Sequence, residues 1–293
     1  GDPYQLAPVA PHDPQERKYI DDNYQSLWFF DAHVWREAAI ERFELSQIFR
    51  QSDERFKEIL NAIRDGSVTK DMLEELNSAG NRQPDDQDVI RLATINEKVN
   101  QVNRDRMSLI KSQSKFFYAS YSEGAEKVFG KALPAETNLE LKVGAQVMFI
   151  KNDDNTMFKD SSGQRLRRFV NGTIGHVVDL PKSGLVIVQV DGEEIEVGPS
   201  TWEKIRYEVE EDFDEATGKV KEVLVPITLA EFKQVPLRLA WAVTIHKSQG
   251  QTYDQVQIDM GSGAFSPGQT YVALSRVRSL EGLYLNRPIN MRD

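Results

Sequence analysis

Strand-like and helix-like patterns alternate between residues 42 and 110, and this alternation restricts the fold more than any other feature of the sequence. Residues 43–49 and 89–93 are rich in apolar and β-favouring side chains, as buried strands are. A helix is predicted after each of them, one beginning near Ser52 or Asp53 and the other covering residues 97–110. Strands that alternate with helices form a parallel sheet covered by helices, so the predicted fold class is α/β.

A second pattern, of short strands separated by turns, replaces the first from about residue 151. Residues 185–190 and 194–197 alternate as antiparallel strands do, and Asp191-Gly192 between them is a hairpin signal. The pattern predicts a small antiparallel β-barrel, formed by residues 151–235 and inserted into the α/β domain. That domain would comprise residues 31–150 and 236–293, after a first segment of residues 1–30.

The composition excludes some classes of protein and weakens the case for others. The chain of 293 residues has no cysteine, no run of about 20 apolar residues that could span a bilayer, and no signal-peptide pattern. Its four histidines lie far apart, so no metal site is predicted. A net charge of −10, from 36 basic and 46 acidic residues, lowers the expectation of nucleic-acid binding. A motor that holds DNA in a channel nevertheless depends on local charge more than on the total.

The sequence contains no phosphate-binding P-loop. Such a loop needs the pattern G-x-x-x-x-G-K-[ST], in which backbone N–H groups and a lysine surround the β- and γ-phosphates. The chain has Gly-Lys pairs at residues 130–131 and 218–219, but alanine and valine follow them, and neither pair has a glycine five positions upstream. The residues present therefore do not predict a complete nucleotide site.

A polar turn is predicted near the end of the chain. Residues 240–252 are expected to form a mostly apolar helix that ends in polar residues, and residues 253–260 then alternate as a strand. The turn would bring together hydroxyl, amide and cationic groups, which are those of His246, Lys247, Ser248, Gln249 and Thr252. Groups of these kinds suit phosphate and sugar better than base edges.

Three segments together resemble a known family. Residues 239–252 read L-A-W-A-V-T-I-H-K-S-Q-G-Q-T, residues 269–278 read Q-T-Y-V-A-L-S-R-V-R, and residues 1–9 read G-D-P-Y-Q-L-A-P-V. Taken in their order along the chain, they resemble the later half of the motif set of the superfamily 1 DNA helicases. The resemblance is closest to the RecD, Dda and PIF-type branch, whose members move 5′ to 3′ on single strands. The resemblance implies that the parallel sheet is RecA-like, as the second of two motor domains, and that the inserted barrel is similar to a Src-homology-3 (SH3) barrel.

The resemblance also implies which residues bind the nucleotide. Gln5 corresponds to a glutamine that senses the γ-phosphate, and Arg50 and Arg276 correspond to arginines that contact it. These three are the predicted catalytic residues, and Gln269 is predicted to bind the nucleotide with them. Arg276 would stabilise the charge that develops on the transferred phosphoryl group. The ordinary alternatives are a surface loop around Gln5 and an ion pair between Arg50 and a carboxylate.

The resemblance also implies which residues contact DNA. Thr94 and Asn96 follow the second predicted strand and open a helix, where phosphate binds readily, although helix capping alone explains both equally well. The polar turn at His246, Lys247, Ser248, Gln249 and Thr252 would lie against the DNA strand by resemblance. In the inserted segment, Trp202 and Tyr207 are expected in the core, and a cluster of Arg165, Arg167 and Arg168 either grips phosphates or forms an exposed basic loop.

The sequence thus predicts the C-terminal motor portion of an ATP-dependent DNA helicase that translocates on single-stranded DNA and contributes to DNA repair or recombination. ATP and Mg²⁺ would serve the parent protein, whereas this chain alone would bind neither tightly and would be inactive, because the partner that supplies the P-loop is a missing N-terminal RecA-like domain. The predicted partners are therefore that domain and single-stranded DNA, and no membrane is expected to be involved. The predicted location is the cytoplasm of a bacterium or phage-infected cell, or otherwise a nucleus or mitochondrion. Two alternatives stay open: a non-catalytic nucleic-acid-binding module, and an RNA-directed helicase of the same superfamily.

Overall fold

The structure is a computed structural model that describes residues 2–11, 13–45, 47–130, 133–154, 167–214 and 219–293, with the backbone alone at 210–214 and 219–224. Gly1, His12, Lys131, Ala132, Arg165 and Gly218 lie outside the described residues. Two compact units make up the chain: the first comprises Gly1–Val102 and Ala242–Asp293, and the second comprises Asn103–Trp241.

The described helices are α1 (Pro14–Asn23), α2 (His33–Glu37), α3 (Glu54–Asp65), α4 (Lys70–Gly80), α5 (Asn96–Leu109), α6 (Ala125–Phe129) and α7 (Gln269–Leu274). The described strands are β1 (Arg91–Ala93), β2 (Lys115–Tyr118), β3 (Ser120–Tyr121), β4 (Asn138–Leu141), β5 (Gln146–Phe149), β6 (Ile174–Asp179), β7 (Val186–Val190), β8 (Glu193–Val197), β9 (Ser200–Asp214), β10 (Lys219–Gln234), β11 (Leu237–Leu239), β12 (Ala242–Thr244), β13 (Val256–Asp259) and β14 (Leu283–Leu285). No helix in the described ranges is both long enough and apolar enough to cross a membrane.

A four-stranded parallel sheet forms the centre of the first unit. Its strand order is β12-β1-β13-β14, and each neighbouring pair is parallel. Nearly every residue of these strands is buried, as expected for a parallel sheet covered on its faces. Helix α4 packs against β14, and α3 packs against α4 and α7. The predicted α/β class with a parallel sheet is confirmed.

Helix α3 forms as the sequence predicted. The carboxylate of Asp53 accepts a hydrogen bond from the backbone N–H of Phe56 at 3.1 Å and caps the first turn. Phe56, Ile59 and Leu60 are buried on one face. Gly66 ends the helix with a φ of 72°, in the left-handed region that glycine adopts without strain.

The strand predicted at residues 43–49 is wrong. None of its described residues lies in a strand, and Phe43, Leu45 and Phe49 are 85%, 94% and 82% exposed. A composition that favours strands describes a fit to a pleated, half-buried surface, so it has no effect without a neighbouring strand. No strand in the described ranges pairs with this segment.

The helix predicted at residues 240–252 is also wrong. Residues Ala242–Thr244 form strand β12, and a single turn of 3₁₀-helix, His246–Ser248, follows it. A short apolar run fits a buried strand as well as a helix, and its two β-branched residues, Val243 and Thr244, favour the strand. Parallel pairing with β1 decides the outcome, because it satisfies the backbone of the run inside the sheet.

The second unit is built largely from antiparallel strands. Its five-stranded sheet has the order β11-β5-β6-β7-β8, and β9 and β10 form a long hairpin to which β3 is added. The predicted hairpin at Asp191-Gly192 is confirmed, since β7 and β8 pair around it and both residues have positive φ, of 49° and 87°. The two units divide at residues 102 and 241 rather than at 150 and 235, and the assignment of domains stays a prediction.

Candidate functional site

Arg50 joins the segment before α3 to the end of the chain. Its Nε donates to Thr252 Oγ1 at 2.8 Å, and its Nη1 donates to the carbonyl of Ser275 at 3.3 Å. The next residue, Gln51, is buried, and its Nε2 donates to the carbonyls of Ser275 and Val277 at 3.2 and 3.0 Å. Gln51 was not predicted as a site residue from the sequence. Its amide nevertheless holds Arg50 in place, since both side chains bond to the same backbone turn.

Arg276 lies beside Arg50 and is almost completely buried, with 1% of the residue exposed. Its Nε donates to the carbonyl of Val272 at 2.9 Å, its Nη1 to the carbonyl of Gln251 at 3.2 Å, and its Nη2 to Ser275 Oγ at 2.7 Å. These bonds use three of the five N–H donors of the guanidinium. Burial first, and the positive charge of Arg50 second, lower the pKa of Arg276 to about 10.

The two arginines have no negative partner in the described part of the chain. Neither guanidinium forms an ion pair there, and burial also lowers the pKa of Arg50. Two like charges in a partly buried place repel each other, and an anion between them would relieve the repulsion. This arrangement disfavours the alternative in which Arg50 pairs with a surface carboxylate.

Gln5 reaches the same region from the start of the chain. Its Oε1 accepts a hydrogen bond from Gln249 Nε2 at 3.2 Å, and its Nε2 donates to Asp2 Oδ2 at 3.4 Å. Its backbone lies against Gly268, the residue before α7, where a Cβ atom would come within 2.6 Å of the carbonyl oxygens of Tyr4 and Gln5. A glycine is therefore needed for this close approach, and it connects Gln5 to the helix that precedes Arg276.

Gln269 contributes an unpaired donor. The residue is fully buried, and its Oε1 accepts from the backbone N–H of Phe265 at 3.1 Å. Its Nε2 has no hydrogen-bond partner among the described residues, and neither has the buried hydroxyl of the adjacent Thr270. A buried polar group left without a partner costs roughly 1–3 kcal/mol. A ligand oxygen would reach this Nε2 only after the residues around it move, because the side chain is fully buried.

The residues predicted to contact DNA gather at one edge of the parallel sheet. Thr94 and Asn96 follow β1, and the 3₁₀ turn follows β12, which is the neighbour of β1 in the sheet. Carboxyl ends of adjacent parallel strands open on the same edge, where α/β proteins bind ligands. Asn96 is exposed, whereas Thr94 is 8% exposed.

Within the turn itself the polar residues have different surroundings. His246, Lys247 and Gln249 are exposed, and the ring of His246 stacks on Phe265 with centroids 6.2 Å apart. Ser248 is fully buried, and its hydroxyl donates to the carbonyl of Ile245 at 2.8 Å, which is a structural contact. Phe265, which is 63% exposed, was not identified from the sequence, since a lone phenylalanine before Ser-Pro carries no signal.

The donors of the site are of the kind that bind an anion. No group of three or more His, Asp and Glu residues in the described ranges could hold a metal. The arginine pair and the unpaired amide of Gln269 instead offer donors to phosphate oxygens. ATP fits these residues through its phosphates, whereas ligands for Mg²⁺ would have to come from other groups.

In the second unit, three residues considered in the sequence analysis, Trp202, Tyr207 and Arg168, have different surroundings. Trp202 packs edge-on against the buried ring of Phe232, with centroids 6.1 Å apart. Tyr207, expected in the core, is 62% exposed on β9. Arg168 forms a two-pronged ion pair with the buried carboxylate of Asp153, so it has a structural partner rather than a free charge.

Comparison with known proteins identifies relatives of one kind, although no family model matches the chain. The ATP-dependent DNA helicase Pif1 of Bdellovibrio bacteriovorus is 34% identical over 264 residues, which are 89% of this chain and 53% of that protein. The ATP-dependent DNA helicase PIF1 of Xenopus laevis is 32% identical over 289 residues, which are 97% of this chain and 39% of that protein. The chain thus spans about half, or less, of the length of these relatives.

Solved structures agree with the sequence comparison. The crystal structure of a Bacteroides Pif1 helicase in complex with ADP-AlF3 and single-stranded DNA has a TM-score of 0.68 and 32% identity, over 100% of this chain and 62% of that one. The structure of unliganded Pif1 from Bacteroides has a TM-score of 0.73 and 32% identity, over 99% and 62%. Over most of its length, this chain is therefore homologous to the Pif1 helicases, members of superfamily 1 in its 5′–3′ Pif1 and RecD-like branch.

Proposed function

We propose that the chain is the C-terminal motor portion of an ATP-dependent DNA helicase that translocates on single-stranded DNA. One observation supports the proposal most: Arg50 and Arg276, which are about 225 residues apart in sequence, lie side by side. No carboxylate among the described residues neutralises them. An unneutralised arginine pair is the kind of group that binds the γ-phosphate in nucleotide motors. The relatives named ATP-dependent DNA helicases support the same function.

In this proposal the chain supplies half of a nucleotide site. A second RecA-like domain of the parent protein supplies the P-loop, and ATP with Mg²⁺, when bound, supplies the phosphoryl group to be transferred. Arg50 and Arg276 donate to γ-phosphate oxygens, and Arg276 has two N–H donors beyond the three in use. The free amide N–H₂ of Gln269 is a further donor.

Gln5 would couple the nucleotide to the DNA edge. It bonds to Gln249 in the polar turn and lies against the start of α7, which leads to Arg276. A shift of α7 when the arginines engage phosphate would therefore move Gln5 and the turn with it. Thr94, Asn96, His246, Lys247, Gln249 and Thr252 would contact the DNA backbone, while Ser248 supports the turn.

The domain assignment follows from the same proposal. Residues 31–150 and 236–293 would form the second RecA-like motor domain, residues 1–30 the end of the first domain and a linker, and residues 151–235 the SH3-like barrel. The parallel sheet of the first unit supports a motor domain of this kind. Strands β2 to β5 and β11, which the assignment gives to the motor domain, lie in the second unit instead. The exposed apolar residues at 43–49 are a surface that the first domain of the parent protein would cover.

The affinity of the chain for single-stranded DNA tests the proposal. Binding should be weak, should decline as salt rises, and should weaken further in Lys247→Ala. Lys18→Ala, which removes an exposed lysine on α1, is the matched control. Equal effects of the two substitutions would contradict the DNA role of the turn, and tighter binding to RNA of the same sequence would favour the RNA-directed alternative.

A further inference from the structure

Strand β2 presents two aromatic rings on an exposed face. Phe116 and Tyr118 are 50% and 71% exposed, while Phe117 between them is buried. Side chains two residues apart on a strand share a face, so the two rings stand next to each other. Their centroids are 6.5 Å apart, and their planes differ by only 22°. Two large rings left open to solvent in nearly parallel planes suggest a binding surface.

Lysines flank these rings. A groove of about 360 Å³ beside β2 is lined by both rings together with Lys115 and Lys233. A second groove, of about 520 Å³, shares Lys115 and is also lined by Lys182. The ammonium of Lys115 donates to the carbonyl of Pro181. Lys182 and Lys233 are exposed, and neither ammonium group forms an ion pair or hydrogen bond with the described residues.

Two carboxylates lie near the grooves, but both have partners. Asp179 lines the larger groove and accepts a hydrogen bond from the backbone N–H of Leu180 at 2.8 Å. Glu140 pairs with Phe116 across the β2–β4 ladder and accepts from the hydroxyl of Ser114. Both donors are neutral, so the two carboxylates keep their charge, and three lysines stand against two carboxylates around the grooves. This local balance is slightly positive, although the chain as a whole carries −10.

The two rings form a short aromatic surface along β2. Their centroid separation of 6.5 Å is close to the spacing of about 6.6 Å that any two residues i and i+2 have on a strand. Because both rings are exposed, bases of a strand that runs along β2 can stack on them. Stacking of bases on aromatic rings combined with lysine contacts to phosphate is the usual way in which proteins bind single strands without sequence preference.

We propose that Phe116 and Tyr118, with Lys182 and Lys233, form a second contact site for single-stranded nucleic acid, located in the second unit. The class of ligand, single-stranded nucleic acid, rests on the proposed function. The residues are new, since every DNA contact proposed above lies in the first unit. A proline-rich peptide could also bind an aromatic groove. The two unpaired lysines favour the phosphate-bearing ligand.

Photo-crosslinking combined with affinity measurements tests this site. The full chain is mixed with an oligothymidylate that carries 5-iodouracil, irradiated, and digested with trypsin, which releases residues 116–127 as one peptide. Affinity is measured by fluorescence anisotropy for the double variants Phe116→Leu with Tyr118→Leu, and Lys182→Ala with Lys233→Ala. The matched controls are Tyr19→Leu and Lys18→Ala, which change an exposed ring and an exposed lysine of the first unit.

The expected result is a crosslink in the peptide 116–127 and a loss of affinity of at least about fivefold in the ring variant. The lysine variant should bind more weakly at low salt, with a salt slope reduced by about two. Phe116→Trp, which keeps a ring, should retain the affinity of the unmodified chain. Equal loss in Phe116→Trp and in the leucine variant would overturn the stacking role, because it would indicate a disturbed fold instead.

Three further outcomes separate this inference from the proposed function. If Lys247→Ala weakens binding while the ring and lysine variants bind normally and no crosslink appears in 116–127, the second site is wrong and the proposed function stands. If the chain shows no affinity for single-stranded DNA at all, both are wrong. A crosslink and affinity loss at β2 without any effect of Lys247→Ala would support the second site and contradict the first.

Discussion

Arg276, the residue on which the proposed chemistry depends most, is a buried cation next to a second cation. Its surroundings satisfy three of its N–H groups with two carbonyl oxygens and one hydroxyl, and none of these partners is negative. The lowered pKa of about 10 still leaves the group charged at neutral pH. The folded state therefore retains a repulsion between Arg50 and Arg276 that binding of an anion would remove.

Inorganic triphosphate should stabilise the chain against heat through this pair. A ligand that binds only the native state raises the unfolding midpoint, and the stabilisation grows with the logarithm of the ligand concentration divided by Kd. We expect Arg50→Gln to remove most of the rise and the control Arg17→Gln, at an exposed site on α1, to leave it unchanged. Thermal melts at constant ionic strength measure the effect, and an equal rise in both variants would show that triphosphate binds elsewhere.

Tyr253→Phe should stabilise the fold. The hydroxyl of Tyr253 is buried without a hydrogen-bond partner in the described ranges, so removing it recovers about 1 kcal/mol in the free energy of unfolding. Burial also raises the pKa of Tyr253 above its usual 10. Urea unfolding at pH 7 measures the gain, and Tyr19→Phe, at an exposed ring, is the control that should show none.

The same substitution should change the dependence of stability on pH. A folded-state pKa above the unfolded value gives a contribution to stability that is complete below pH 10 and is lost as pH rises through the folded pKa. The unmodified chain should therefore lose stability above pH 10 more steeply than Tyr253→Phe does. Parallel declines in the two proteins between pH 9 and pH 11 would contradict the assignment to Tyr253.

At the scale of elements, local signals predicted what local forces determine. Helix α3 is 12 residues long, and its cap at Asp53, its apolar face and its end at Gly66 were all predicted from the local sequence. The two elements predicted wrongly, at 43–49 and 240–252, are short apolar runs whose state depends on a distant pairing partner. Strand β12 has such a partner in β1, whereas residues 43–49 have none in the described part of the chain.

Substitution of Gly268 tests how the elements of the site are held together. A Cβ atom in Gly268→Ala would lie 2.6 Å from two backbone carbonyl oxygens, at a residue whose φ is 77°. We expect a loss of about 3 kcal/mol or more in the free energy of unfolding, or displacement of Gln5 from α7. Urea unfolding measures the loss.

The matched control is Gly66→Ala. Gly66 has a similar φ of 72° but no atom within 4 Å of the added Cβ. Strain of the left-handed backbone alone should cost about 1–2 kcal/mol there. Equal losses at the two glycines would mean that the contact between Gln5 and α7 contributes nothing to stability.

For the molecule as a whole, the structure groups several of the motif residues, and their role as a nucleotide and DNA site stays a prediction. Gln5, Arg50, Gln269, Arg276 and the polar turn were all identified from the sequence, and the first unit brings them together. The net charge of −10 lowered the expectation of nucleic-acid binding. It is a weak guide, because a total charge contains no information about local surfaces. The burial of Arg276, the role of Gln51 and the open rings of Phe116 and Tyr118 depend on tertiary packing, so no sequence pattern could reveal them.

The central claim is that this chain contributes the arginine half of an ATP site and has no phosphate cradle of its own. The most direct measurement is ATP hydrolysis by the chain alone, with and without single-stranded DNA, beside an Arg276→Ala control. We expect no turnover above that of the control under either condition. Turnover that DNA stimulates and Arg276→Ala abolishes would contradict it, because the complete nucleotide site would then lie within this chain or within a self-associated form of it.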